Sequence, residues 1–241
     1  MRPGDLHAIA LVAALLPSLA ACASQTGFGR ASTLERGKVQ AQAAVTASVA
    51  SVQMSPGTPV PLPWLDVEAG VHYGLTDDFE LGARLWGIGI RGLATWGVAA
   101  DTKLRLVRSG GEGDGGDDAA RGWHLSVALS PGYHQILFGG TPTHLFTLTL
   151  PVLIGFDVGR SQLVFGPRVV GNVWTGQGQG AIETISGGLS VGWSIALGRK
   201  WTIMPEVVLL WSPVSFNGEV DDEDQTGAGF LHVGVGGPYE L

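Results

Sequence analysis

The chain has 241 residues, with 14 Lys and Arg against 21 Asp and Glu, and the resulting net charge of −7 argues against a general nucleic-acid binder. Only 15% of residues are charged while 45% are hydrophobic, which excludes disorder and departs from ordinary soluble domains, where about 25% are charged. Glycine is abundant at 38 residues, and the single cysteine, Cys22, excludes an intrachain disulfide and a Cys-based zinc site.

The N-terminus reads as a processing signal, assigned to residues 1–21. Leu6 to Ala21 form an apolar run broken by His7, Pro17 and Ser18 and preceded by Arg2, too short for a membrane-spanning helix and matched to a secretory signal. The run ends Leu19-Ala20-Ala21-Cys22, which resembles the bacterial lipobox. That resemblance implies cleavage before Cys22 and acylation of its thiol, each buried CH₂ adding about 0.8 kcal/mol of membrane affinity. Ordinary cleavage after Ala23 is the alternative, because Ala21-Cys22-Ala23 also fits an A-x-A site. Residues 22–35 follow as a polar linker.

From residue 36 onward, period-two alternation governs the chain, the mark of strands with two unlike faces. In the first, Lys38, Gln40, Gln42, Thr46 and Ser48 oppose Val39, Ala41, Ala43, Val45, Ala47 and Val49. In the second, Asp66, Glu68, Gly70 and His72 oppose Leu65, Val67, Ala69, Val71 and Tyr73. After a turn at 74–78, Glu80, Gly82 and Arg84 oppose Phe79, Leu81, Ala83 and Leu85. The pattern predicts ten strands, at about 36–50, 64–73, 79–88, 93–107, 122–135, 143–156, 162–174, 184–197, 200–212 and 227–237. Short hairpins join several of them, at Asp77-Asp78, Gly159-Arg160-Ser161 and Gly198-Arg199, so the fold is all-β and antiparallel. Pro151, Pro167 and Pro205 fall inside strands and call for bulges.

The polar face separates a sandwich from a barrel. It is crowded with Gly and Ser (Gly82, Gly97, Ser126, Ser130, Gly166, Ser190, Gly192, Gly234) rather than with solvated Lys and Glu. Small residues suit a narrow closed interior. On the apolar face, Trp96, Trp211, Tyr73, Phe79, Trp123, Phe165 and Trp201 fall near strand ends, as in membrane-interface girdles. Over residues 36–238 the pattern resembles bacterial outer-membrane β-barrel proteins, and Gly70 to Arg84 resembles their short-turn hairpin. The resemblance implies a closed transmembrane barrel in the outer membrane of a Gram-negative cell, with a periplasmic N-terminus and outer-membrane lipid as its partner. A soluble periplasmic sandwich is the alternative.

The inward register collects ten charges: Asp66, Glu68, Glu80, Asp101 and Glu206 against Lys38, Arg84, Lys103, Arg105 and Arg168. Equal numbers of each sign argue for ion pairs across a plugged or narrow lumen, which would pass at most small solutes, rather than for an ion-selective ring. His72, His124, His134 and His232 also face inward but lack metal-ligand spacing, so no metal or cofactor is expected. Ser130 and His134, on one face, are the best nucleophile–base candidates for the alternative of a membrane-embedded hydrolase; no catalytic residue is assigned. Gly87 to Gly92 matches G-x-G-x-x-G and Gly188 to Gly192 matches G-x-S-x-G, yet both sit in strand pattern without the helix each motif needs. Two acidic loops, one with Glu112, Asp114, Asp117 and Asp118 and one with Glu219, Asp221, Asp222, Glu223 and Asp224, read as solvated turns without calcium-site spacing.

Overall fold

The computed structural model describes residues 29–52, 60–90, 93–109, 122–138, 141–176, 179–215 and 228–241. The signal segment, Cys22 and both acidic loops lie outside them. Alternation gives most strands one apolar face and one richer in small or polar residues, and a sheet of such strands satisfies both faces by rolling up. The strands are β1 (Val39–Val52), β2 (Val60–Thr76), β3 (Phe79–Ile90), β4 (Leu93–Ser109), β5 (Trp123–Phe138), β6 (Thr141–Val158), β7 (Ser161–Gly176), β8 (Gln179–Ala196), β9 (Thr202–Ser215) and β10 (Ala228–Glu240). Each pairs antiparallel with its sequence neighbours, and β1 pairs with β10 from Gln40↔Glu240 to Val52↔Ala228, closing the barrel.

Most strands run beyond their expected ends. β2 begins at Val60, although Pro61 and Pro63 mark that stretch as a loop in the sequence. Its early residues pair with β1 (Pro61↔Ser51, Pro63↔Val49), whereas its pairing with β3 begins only at Val67↔Gly87. A proline there faces an unpaired side, where a missing N–H costs no ladder bond. The expected bulges at Pro151, Pro167 and Pro205 do not occur. The ladder lapses beside each, from Val127↔Val152 to Ser130↔Thr149, from Pro151↔Arg168 to Ile154↔Phe165, and from Gly192↔Glu206 to Ile195↔Ile203, and resumes in the same register. Register shifts lie elsewhere, at Gly74/Thr76, Arg105/Val107, Trp174/Gly176 and Ile185/Gly187.

Polarity is inverted relative to a soluble protein. Buried side chains include Gln42, Thr46, Glu68, Glu80, Arg84, Lys103, Arg168 and Glu206, while Val67, Leu85, Leu148, Leu189, Val207 and Leu209 are exposed on the outer wall. Aromatic residues ring that wall at two levels. Trp96, Tyr133 and Phe146 are in ring contact at one, and Phe156 stacks on Phe165, and Trp201 packs on Tyr239, at the other. Trp123 and Tyr133 on β5 lie ten positions apart, as do Trp201, just before β9, and Trp211 within it. At about 3.3 Å per residue and roughly 40° of tilt, that separation is about 25 Å along the barrel axis, the height of a transmembrane apolar band.

Glycines make room for large inward side chains. A Cβ on Gly97 would lie 2.5 Å from the Trp86 indole, and one on Gly82 would lie 2.5 Å from the His72 ring. A bulky residue on one strand thus lies flat across a glycine on the next, which accounts for the glycine-rich inner face.

Candidate functional site

The lumen is the candidate site. One end, here the near mouth, carries residues 29–38, the turns at 77–78 and 159–160 and the C-terminal Leu241; the other is the far mouth. Inward positions of β2, β3 and β4 build the first charge cluster. Arg84 donates from Nε (2.6 Å) and Nη2 (3.0 Å) to the two Asp101 oxygens and from Nη1 to Glu68 Oε2 at 3.3 Å. Gln42 Nε2 donates to the other Glu68 oxygen at 2.9 Å, and the Ser130 hydroxyl donates to Asp101. One guanidinium therefore holds two carboxylates from flanking strands, in the fork geometry that suits arginine.

Nearer the near mouth, Glu80 accepts Lys103 Nζ at 2.9 Å and stands 3.1 Å from His72 Nδ1. Across the barrel, Arg168 of β7 reaches over β8 to Glu206 of β9, Nη2 to Oε1 at 3.0 Å, with side chains only 2% and 4% exposed. The small inward residues of β8 leave that span open. His124 Nε2 meets Asp157 at 2.8 Å, and Gln162 donates to the other Asp157 oxygen. Arg105 pairs with the exposed Asp78 on the rim at 2.7 Å. Of the ten charges named from sequence, Glu68, Glu80, Arg84, Asp101, Lys103, Arg168 and Glu206 form these lumen pairs. Arg105 serves the rim, Lys38 is exposed at the near mouth where it lines the cavity, and Asp66 is buried nearer the far mouth.

These groups surround a cavity of about 400 Å³ in the near half of the lumen. The far half is filled differently. Ile136, Leu145, Val170, Val208, Leu210 and Phe230 are buried there beside His134 and His232. His232 Nδ1 lies 2.7 Å from the Ser48 hydroxyl, and the His134 ring packs edge-on to Trp86 with centroids 5.8 Å apart. Ser130 and His134 are not brought together, since the serine hydroxyl is directed at Asp101 and neither ring nitrogen of His134 has a hydrogen-bond partner. Among the described residues, no three His, Cys, Asp or Glu converge as a metal site.

Residues 29–35, read from sequence as part of a linker, enter the near mouth. Ala31 is fully buried, its N–H donating to Gln162 Oε1 at 2.7 Å and its carbonyl accepting from Ser126. Burial pulls the Arg30 guanidinium below its ordinary pKa, with the charges of Asp157 and Glu240 opposing that shift. Sequence reasoning missed Arg30, Asp157 and Gln162 as site residues. Gln162 and its pair Asp157 both sit on the inward register, Asp157 one residue beyond the strand expected to end at 156, whereas Arg30 lies in an irregular segment that no periodicity marks.

No protein-family model matches the chain, and no curated protein does. Among solved structures it is similar to an outer-membrane channel from Pseudomonas putida F1, at 13% identity and TM-score 0.51 over 88% of this chain and 98% of that one. The fold is that of a bacterial outer-membrane β-barrel. Other similar barrels are the outer membrane protease OmpT from Escherichia coli (9% identity, TM-score 0.46, covering 88% of this chain and 100% of that one) and the translocator domain of autotransporter NalP from Neisseria meningitidis (12%, 0.40, 99% and 98%). The first of the three carries the assignment, which concerns architecture alone.

Proposed function

We propose that the chain is an outer-membrane barrel lipoprotein of structural or porin-like role, its lumen plugged by paired charges and apolar side chains. The inverted polarity supports this reading: an apolar band of membrane height surrounds an interior whose ionic groups are matched to one another. In this proposal the near mouth is periplasmic, consistent with the short turns at 77–78 and 159–160, and Cys22 carries the lipid. Outer-membrane lipid is the partner. No catalytic role is assigned, because the Ser130 hydroxyl serves Asp101 and the Ser48–His232 pair is sealed from solvent.

Three measurements test the proposal. Unheated protein from the membrane fraction should migrate differently in SDS gels from boiled protein; identical mobility overturns the membrane barrel. In planar bilayers the plugged lumen predicts no stable current steps, and discrete steps would replace the plug with a narrow pore. Cys22→Ser should abolish incorporation of labelled fatty acid, whereas undiminished labelling would place the acyl group elsewhere.

A further inference from the structure

The segment across the near mouth is held as a ligand is held. Lys103 Nζ donates to the Arg30 carbonyl at 3.3 Å, Gln162 and Ser126 take the N–H and carbonyl of Ala31, and Glu80 accepts the Leu34 N–H at 3.0 Å. Asp77 accepts the Arg36 N–H at 2.9 Å, and the Thr33 hydroxyl donates to the Asp77 carbonyl. Gly37, at φ 80°, then turns the chain into β1 while its N–H bonds to the Gly74 carbonyl at 2.8 Å. Groups on β3, β4, β5 and β7 thus read main-chain atoms of a segment that bends at Ala31–Ser32, and any peptide able to make that bend would offer them.

Of the segment's side chains, only that of Ala31 is fully buried. Ala31 packs among Ala44, Leu153, Val164 and Met204, and a Cβ on Gly155 would lie 2.6 Å from the Ala31 Cβ and 2.7 Å from Gln162 Cδ. The pocket therefore accepts a methyl group and nothing larger without displacement.

We propose that the near mouth is a peptide-binding site, selecting main-chain groups around one small side chain, and that residues 30–36 are its resident ligand bound in cis. Tethering raises the resident's effective concentration to the order of mM, so a second peptide enters only when the resident leaves. The class of competing ligand is a peptide that bends at an enclosed Ala or Gly.

The test compares the full chain with its Ala31→Trp variant, both confirmed folded by heat-dependent gel mobility. In hydrogen exchange, the amides of Ala31, Leu34 and Gly37 should exchange at least tenfold faster in the variant. A fluorescent peptide spanning residues 29–37 should bind the variant and not the unsubstituted chain, and the same peptide with Trp in place of Ala31 should bind neither. Equal exchange in the two chains overturns the seated segment. Absence of peptide binding to a variant whose segment is released, or equal binding to both chains, overturns the peptide site. Should Ala31→Trp fail to fold, the milder Ala31→Leu, which leaves every group of the site in place, supplies the same comparison.

Discussion

The Arg168–Glu206 pair offers a measure of how dry the lumen is. With Nη2 and Oε1 3.0 Å apart and both side chains nearly sealed, the pair lies where water screens little. Charge centres about 4 Å apart at an effective dielectric near 20 attract by about 4 kcal/mol. Replacing one partner leaves the other buried without it, so Arg168→Met and Glu206→Gln should each cost about 3–5 kcal/mol, roughly a thousandfold in the folding equilibrium. The double variant Arg168→Met/Glu206→Gln removes both charges together and should recover most of that loss, giving a coupling energy above about 2 kcal/mol. Urea titration of the barrel in lipid vesicles, followed by Trp fluorescence and gel mobility, reads all four proteins. Single variants within about 0.5 kcal/mol of the parent would mean that both charges are hydrated, and the plugged-lumen reasoning would fail.

Other positions should respond according to the face they occupy. Val207→Arg, exposed between the aromatic levels of β9, should cost about 2–4 kcal/mol in vesicle folding assays, whereas no penalty would place that wall outside lipid. Gly97→Val should push the Trp86 indole from its seat, shifting its fluorescence and destabilising by about 1–3 kcal/mol, and an unchanged spectrum would contradict the packing. Arg105→Ala breaks an ion pair whose acid, Asp78, is 65% exposed; its effect should stay below about 1 kcal/mol and vanish in high salt, as a urea titration would show. Brominated lipids should quench Trp201 and Trp211 in single-Trp variants but leave Trp86 bright; strong quenching of Trp86 would place it outside the lumen.

Alternation made the barrel legible because it states which face each residue occupies: Lys103 and Leu104 could be assigned inward and outward with no structure in hand. It could not state which charges meet. Arg84 meets neighbours on flanking strands, but Arg168 passes over β8 to Glu206, a choice set by barrel curvature and by small side chains in between. Strand ends were blurred where prolines sit beside an unpaired edge, as at Pro61 and Pro63. Bulges were expected at prolines, yet a lapse of hydrogen bonding absorbs the missing N–H without moving the register. The mouth segment was invisible for another reason: its contacts are main-chain bonds to distant strands, and main-chain atoms leave no pattern in a sequence.

The two kinds of charge pairing also imply an order of assembly. Arg84 can meet Glu68 and Asp101 as soon as three consecutive strands have come together, so that cluster is available to a nascent meander. Arg168 must wait for β9, two strands later in the chain. Residues 30–36 draw on β3, β4, β5 and β7, so they find their complete set of partners only once most of the wall stands. The part of the chain made first thus settles late, once β7 has joined the wall.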